Sequence, residues 1–345
     1  MSVSVRDVAK KAGVSVGTVS NVINNPDKVA QATVLKVQAA IKGLGFIRND
    51  AARQLRAGKS RSIGLVVLAV QNPFFAEVAR GAEEAATDHG LTVLFANSDE
   101  NEDRERHLLV LFEEQRVAGL LVSPIASDLS EITKISDRGT PVVLVDRESK
   151  DKSFSSVSVD NVAGGFMAAN HLVEIGKKKT MFAGGPMSIK QIADRLKGAK
   201  RATQGTGVTL EVVETKNLTV PEGRALAEEI LSRPKKLWPD GIFAANDLLA
   251  FGIMQVLVVA PNVSIPEDIA LVGYDDISYS SNALISLTSV RQPSLTIGAK
   301  AVELLLRADQ NINEPVGRQV VFQPELVVRD STLPKRIELI PLDHY

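Results

Sequence analysis

The stretch VRDVAKKAGVSVGTVSNVINN, residues 5–25, decides the fold of the N-terminal part of the chain. In its first half, apolar side chains recur at helical spacing and stop at Gly13, a residue suited to the left-handed end of a helix. In its second half, Ser15 can cap a new helix in which Val19 and Val22 share one face. The opposite face carries hydrogen-bonding groups and little bulk. The pattern predicts two short helices joined by a tight turn.

The next segment, PDKVAQATVLKVQAAIKGLGF at residues 26–46, completes a small domain. Val34, Val37 and Ile41 recur at helical spacing, so a third helix can share one core with the first two. Three short helices in this order predict a helix-turn-helix domain, whose second helix enters the major groove of DNA. We place this domain at residues 1–48.

The charge of the chain is divided unevenly. The first sixty residues contain ten Lys or Arg against three Asp or Glu, a net charge of +7, so the total of −1 leaves −8 on the rest. A basic head on an acidic body indicates a polyanionic partner for the head, because phosphate contacts release counterions. The alternative is a solvated surface with uneven charge.

Residues 5–25, followed by GLGFIRNDAARQLRAGKS at 43–60, resemble the head of the lac-repressor family of bacterial regulators. The resemblance implies that the second helix contacts DNA through Val16, Gly17, Thr18, Ser20 and Asn21, with Thr18 on phosphates and the others on bases. It also implies that residues 49–61 are a hinge helix and linker, which inserts Leu55 between base pairs in the minor groove. The alternative is that Leu55 docks on the body.

Two positions depart from the family pattern. Many relatives have arginine where this chain has Asn21; arginine prefers guanine, whereas asparagine can pair with adenine. Ala30 stands where relatives often have a serine that caps the third helix, and its loss is expected to cost about 1 kcal/mol. The operator is therefore expected to differ at one step.

From residue 62 onward, near-continuous apolar runs alternate with amphipathic helices, as in SIGLVVLAV at 62–70 and DGIFAAND at 240–247. Such runs predict parallel strands covered on both faces, in a doubly wound α/β body. Its length predicts two lobes. We assign residues 62–345 to effector binding and dimerisation, with lobe one at about 62–159 and 290–320 and lobe two at about 160–289 and 321–333. Glycine pairs at 164–165 and 184–185 predict tight turns.

Polar and aromatic residues follow the predicted strands, at the edge where ligands of parallel sheets bind. The candidates are Asn72, Phe74, Phe75, Asp146, Arg147, Arg195, Asn246, Asp275 and Gln292. Over residues 62–332 the body resembles the effector domain of the same family and, more distantly, periplasmic sugar-binding proteins. This set is most similar to ribose-type sites, which implies ribose or a ribonucleoside as effector. The alternative effector is another sugar or small metabolite. For single residues, the alternatives are Phe74 as core, an internal Asp146–Arg147 ion pair and Asp247 as a helix cap.

Catalysis and redox chemistry are not indicated. The chain has no cysteine, its four histidines lack metal-site spacing, and no phosphate-binding loop motif is present, so we expect no enzyme activity, cofactor or metal. A charged N-terminus without a signal-peptide core predicts a cytoplasmic protein. The tail has no leucine heptad, which predicts a homodimer. We expect a repressor on a palindromic DNA operator; the alternatives are a cytoplasmic sugar-binding transport component or a sugar-processing α/β enzyme.

Overall fold

The computed structural model describes residues 3–46, 60–125, 128–149, 153–309 and 317–333. By its internal contacts the chain divides into two units, residues 1–60 and 61–345. We call the first unit the head and the second the body, and each is described by itself.

Among its described residues the head contains three α-helices, α1 (Val5–Ala12), α2 (Val16–Asn24) and α3 (Gln31–Leu44), with a 3-10 turn at Pro26–Lys28 before α3. Ser4 caps α1 in a capping box with Asp7, and α1 ends at Gly13, whose φ of 64° lies in the left-handed region. The hydroxyl of Ser15 accepts the N–H of Thr18 at 3.0 Å and so caps α2. These caps confirm the predicted helix, turn and second helix.

A small apolar core holds the three helices of the head together. Val8, Val19 and Val37, one from each helix, are fully buried in it. Ala30 precedes α3 without any side-chain cap, as its chemistry requires. Packing rather than capping therefore determines where α3 begins.

The body contains eight helices and twelve strands among its described residues. The helices are α4 (Pro73–Asp88), α5 (Glu102–Glu114), α6 (Ser130–Asp137), α7 (Asn161–Glu174), α8 (Lys190–Thr203), α9 (Val220–Ser232), α10 (Asp247–Val259) and α11 (Ser294–Asp309). The strands are β1 (Ser62–Val67), β2 (Thr92–Asn97), β3 (Gly119–Val122), β4 (Val142–Val145), β5 (Ser155–Val159), β6 (Lys179–Ala183), β7 (Thr209–Val213), β8 (Gly241–Ala244), β9 (Ala270–Asp275), β10 (Thr288–Arg291), β11 (Gln319–Phe322) and β12 (Glu325–Val327).

The strands form two six-stranded sheets, one in each lobe. The order is β11-β5-β4-β3-β1-β2 in lobe one and β12-β10-β9-β8-β6-β7 in lobe two. All pairs are parallel except β10 with β12. On β1, Leu65 and Val66 are both fully buried but belong to apolar clusters on opposite faces. The predicted doubly wound α/β architecture is confirmed.

The chain crosses between the lobes at slightly different points from those suggested by the sequence. The suggested boundaries at 289/290 and 320/321 fall inside β10 and β11, which are continuous strands. Both crossings therefore come about two residues later, because a strand stays hydrogen-bonded to one sheet along its whole length.

The predicted turn at 164–165 is wrong, because both glycines lie inside α7. A Cβ on Gly165 would come within 2.0 Å of the carbonyl oxygen of Arg195, and one on Gly198 within 2.1 Å of that of Val162. The glycines thus let the backbones of α7 and α8 approach each other closely, a role that only the tertiary contact reveals. In the described part of the chain, no helix combines the length and apolar character needed to span a membrane.

Candidate functional site

The outer face of α2 in the head has the properties required for reading DNA. Val16 is 44% exposed, and Gly17 and Asn21 are exposed beside it. None of the three is needed by the head's core. A protruding valine can contact a thymine methyl group, and an asparagine can bond an adenine edge.

Thr18 and Ser20 lie on the same helix but are already engaged locally. The Thr18 hydroxyl lies 2.9 Å from that of Ser15, and Asn24 donates from Nδ2 to the carbonyl oxygen of Ser20 at 2.9 Å. Both side chains are partly buried. Leu55, the predicted minor-groove wedge, lies outside the described residues.

A polar cleft separates the two lobes of the body. Its cavity measures about 270 Å³, and we call it the main cleft. Seven predicted effector residues line it: Asn72, Phe74, Phe75, Asp146, Arg195, Asn246 and Asp275. They come from the carboxyl ends of strands in both sheets and from the helices that follow, as expected for ligand sites of parallel sheets.

Asp275 links the two lobes directly. It is buried at the end of β9 with a φ of 104°, in the left-handed region. Its carboxylate accepts Nδ2 of Asn72, from lobe one, at 2.7 Å, and Nε2 of Gln292 at 2.7 Å. Burial raises the pKa of Asp275, while the nearby Arg195 guanidinium opposes that rise. Asp275 is therefore a buried hydrogen-bond acceptor with a strained backbone, and it connects the two lobes.

Arg195 is held rigidly in the floor of the cleft. Its Nε donates to the side-chain oxygen of Asn161 at 2.9 Å and its Nη1 to the carbonyl oxygen of Ala245 at 2.6 Å. The guanidinium carbon lies 3.6 Å from the centre of the Tyr274 ring, and Nη2 lies 3.8 Å from Asp275. Such a preorganised fork keeps one donor edge available to a ligand at little entropic cost.

Asp146 and Gln191 form a second link between the lobes. Gln191, on α8 in lobe two, donates from Nε2 to the carbonyl oxygen of Asp146 at 2.6 Å and to its Oδ2 at 3.2 Å. Oδ1 of Asp146 and Oε1 of Gln191 are buried without a hydrogen-bond partner among the described residues. Burial raises the pKa of Asp146 to about 7, with Arg195 opposing and Asp275 adding to the rise. Two unsatisfied acceptors in a cleft wall are expected to meet ligand donors.

The two phenylalanines of the cleft also serve the core of lobe one. Phe74 and Phe75 are only 3% and 5% exposed, and their rings meet edge to face with centroids 5.0 Å apart. Both line the main cleft. The core and the binding interpretations of Phe74 are thus compatible, because the residue belongs to the apolar core of lobe one and also lines the cavity.

Asn246 and Asp247 have distinct structural roles at the start of α10. Asn246 caps the helix by accepting the N–H of Leu249 at 2.9 Å, so the cap is Asn246 and not the alternative Asp247. Asp247 is fully buried and accepts the hydroxyls of Ser289 at 2.6 Å and Ser280 at 2.7 Å. It also accepts the backbone N–H of residue 277 and so anchors the turn that follows Asp275.

Two predicted residues do not line the main cleft, which corrects the candidate set. Arg147 lines a second cavity of about 310 Å³, and its Nη1 lies 3.3 Å from the carbonyl oxygen of Pro124. Asp146 lines both cavities, whereas Arg147 lines only the second one. Gln292 is 3% exposed and stands behind Asp275, which it orients.

Several lining residues were missed by the sequence analysis. They are Gln71, Asp99, Glu100, Gln191, Asn217 and Thr219. Asp99 and Glu100 follow β2 in the segment NSDE, so the same strand-end rule could have found them. Gln191 lies within a helix and carries no such signal. Within the described ranges no cluster of His, Asp and Glu could hold a metal ion.

Comparison with family models accounts for nearly the whole chain. Residues 4–49 match a model described as bacterial regulatory proteins, lacI family. Residues 60–327 match one described as periplasmic binding proteins and sugar binding domain of the LacI family.

Individual relatives extend over the full length. The chain is 33% identical over 332 residues to the ribose operon repressor of Bacillus subtilis, covering 96% of this chain and 99% of the relative. It is 32% identical over 336 residues to the transcriptional repressor PurR of Photobacterium profundum, covering 95% and 98%. These relatives are transcriptional regulators rather than enzymes.

Solved structures support the same architecture. The lac repressor dimer bound to operator and the anti-inducer ONPF matches with a TM-score of 0.83 at 25% identity, over 96% of this chain and 100% of that chain. A LacI family transcriptional regulator of Enterococcus faecium with bound ribose matches with a TM-score of 0.71 at 25% identity, over 80% and 100%.

Proposed function

Because the chain belongs to the lacI family of bacterial regulatory proteins, we propose that it is a repressor whose operator affinity changes when a small sugar fills the main cleft. Membership of this family makes it a DNA-binding transcriptional regulator with a ligand-binding domain. It works in the cytoplasm, where its operator lies, and as a homodimer on a palindromic site.

The head supplies both affinity and sequence preference. Its net charge of +7 provides phosphate contacts, which carry most of the non-specific affinity. The exposed Val16 and Asn21 on α2 lie beside the exposed Gly17, whose lack of a side chain leaves room for the edges of bases. Thr18 and Ser20 contact backbone and bases from the same helix, and Leu55 acts as the minor-groove wedge.

Exposed apolar side chains on both lobes support self-association. Leu94 and Phe95 are 38% and 40% exposed on β2, an edge strand of lobe one. In lobe two, Tyr279 and Leu284 are 62% and 88% exposed. Exposed apolar side chains are frequent in protein interfaces, and a second copy of the chain would cover them.

The effector we propose is ribose or a ribonucleoside. The observation that carries this is the pair of buried, unpartnered acceptors, Oδ1 of Asp146 and Oε1 of Gln191, in a cleft that also holds the Arg195 donor. Each sugar hydroxyl both donates and accepts, so neighbouring hydroxyls match this alternation of acceptors and donors. The names of the Bacillus subtilis relative and the ribose-bound Enterococcus faecium structure favour ribose.

Regulation follows from the position of the cleft between two lobes. The bonds from Asn72 to Asp275 and from Gln191 to Asp146 each join one lobe to the other. A sugar that inserts among these groups changes the free energy of one lobe arrangement relative to another. It shifts the protein between DNA-competent and DNA-incompetent states by its differential affinity for them.

Operator recognition is tested by mobility shift with the full chain at about 150 mM salt, where non-specific binding is weak. Duplexes that carry selected inverted repeats should bind as two subunits per site and far more tightly than scrambled duplexes. Equal binding of both duplexes contradicts the regulator assignment.

Effector recognition is tested by calorimetry with ribose, uridine, adenosine and galactose on wild type and on Asp275→Asn. Asparagine is among the residues that best tolerate a positive φ, so the turn is retained, while its amide group replaces one of the two oxygens that accept Asn72 and Gln292. Loss of charged hydrogen bonds worth about 1.5–3 kcal/mol each should lower the affinity at least tenfold. Operator binding should persist while its response to sugar disappears.

Asp194→Asn is the matched control, because Asp194 lines the second cavity and not the main cleft. It should bind sugar like wild type. A sugar response retained in Asp275→Asn would show that the effector binds elsewhere. If galactose binds but ribose and the nucleosides do not, the assignment as a repressor stands and the proposed effector is wrong.

A further inference from the structure

The main cleft carries more negative than positive groups. Arg195 is the one cationic side chain among the described residues that line it. Asp146, Asp275 and Glu100 line the same cavity, and Asp99 stands at its rim. Among the described residues, Asp99 is the one of these four that pairs with a cation outside the cleft, Arg104 at 3.6 Å. Arg195 therefore shares the cavity with three carboxyl groups, and a ligand enters a cleft that is short of positive charge.

Glu100 is a carboxylate of the main cleft to which the proposed sugar-binding role assigns no contact. It follows β2 in a left-handed conformation, with a φ of 54°, and its N–H donates to the carbonyl oxygen of Leu68 at 3.0 Å. The preceding turn is fixed by Asn97, whose Oδ1 accepts the N–H of Val70 at 3.1 Å. Glu100 is half-buried, and burial, followed by the charge of Asp99, raises its pKa. Its position is thus imposed by the backbone although its charge is unfavourable there.

Helix N-termini can attract anions, and four helices begin at the main cleft. Three of them are already capped by side chains, those of Asn72, Asn246 and Thr219. The fourth, α8, places Gln191 in its first turn against the carboxylate of Asp146. Each of the three caps occupies one backbone N–H of its helix, whereas α8 has no side-chain cap. The charge of the carboxyl groups, rather than the helix ends, therefore disfavours an anionic ligand.

From this charge balance we infer that Glu100 is a specificity residue, which makes the cleft accept an uncharged sugar and reject the phosphorylated form of that sugar. The inference rests on the proposed sugar-controlled function and adds the charge class of the effector. A phosphomonoester carries close to two negative charges at neutral pH and would meet Glu100 in a partly desolvated space. The regulator thereby responds to the free sugar before a kinase-type reaction has consumed it.

The experiment is a calorimetric comparison of ribose with ribose 5-phosphate, and of galactose with galactose 6-phosphate, on the full-length protein. Wild type should bind the free member of the responsive pair about a hundredfold or more tightly than its phosphate, a difference near 2.7 kcal/mol. Glu100→Gln should reduce that ratio about tenfold, mainly by improving binding of the phosphate.

Glu102→Gln is the control, because Glu102 is exposed two residues away and does not line the cleft. It should leave the ratio unchanged, which separates a local effect in the cavity from a change in net charge. A phosphate that binds wild type as tightly as its free sugar overturns the inference, and so does an unchanged ratio in Glu100→Gln. If galactose binds in place of ribose and galactose 6-phosphate is still rejected, the proposed effector is wrong but the role of Glu100 is supported.

Discussion

Replacing Asp146 by asparagine is expected to stabilise the sugar-free body at alkaline pH while impairing sugar binding. Asp146 is 3% exposed, its Oδ1 has no partner among the described residues, and burial raises its pKa from the usual 3.8 to about 7. Its φ of 56° suits asparagine, and the amide oxygen can still accept Nε2 of Gln191. The substitution removes the charge with little change in shape.

The sign and size follow from proton linkage. The folded pKa lies above the unfolded one, so between pH 3.8 and about 7 the native state holds a proton that the unfolded chain has released. Stability therefore falls as pH rises through this window, and above it the ionised carboxylate imposes a constant cost. A shift of about three units corresponds to at most about 4 kcal/mol. Asp146→Asn should recover part of that above pH 7 and nothing near pH 4.

The measurement is thermal unfolding of the full chain without sugar at pH 4.5 and pH 8, following the transition of the body. At pH 8 the variant should unfold several degrees higher, at about 2 °C per kcal/mol for a unit of this size. Ribose affinity should fall at least tenfold in parallel. Asp103→Asn, which is exposed, paired with Arg106 and outside the cleft, should change neither value appreciably. The reasoning is refuted if Asp146→Asn destabilises the body equally at both pH values.

Three further outcomes are expected. Asn21→Arg should change the base preferred at one symmetric position of the selected operator, because the side chain is exposed on α2, the helix proposed to enter the major groove; an unchanged selected motif means that Asn21 does not read bases. Gly165→Ala should lower the free energy of unfolding by about 1–3 kcal/mol or more in urea titration, since its Cβ would lie 2.0 Å from the carbonyl oxygen of Arg195; unaltered unfolding contradicts the close approach of α7 and α8. Raising salt from about 50 to about 200 mM should weaken operator binding about a thousandfold and leave ribose affinity unchanged; a flat salt response contradicts phosphate contacts by the head.

Local sequence signals were sufficient to predict the helices of the head and the fold class of the body. Ser15 and Gly13 mark helix ends whatever surrounds them, because a cap and a left-handed glycine act within a few residues. Apolar runs such as β1 indicate parallel strands buried on both faces, since both surfaces of the strand must be dry. Asp275 and Asn72 could be selected for the cleft because all parallel strands of a sheet end at the same edge.

Tertiary structure alone decided what depends on residues distant in the chain. Gly165 looked like a turn residue and instead lies in a helix, because the reason for a glycine is the carbonyl oxygen of Arg195 on a neighbouring helix. Strand-end positions predicted that Arg147 and Gln292 line the cleft. Instead, the side chain of Arg147 lines the second cavity, and Gln292 packs behind Asp275. Gln191 lines the cleft although it lies in a helix and does not directly follow a strand, so no strand-end signal marks it. The spacing of residues along the chain predicts which helices and strands form. The balance of charge in the cleft cannot be predicted in this way, because it depends on side chains that two separate lobes bring together.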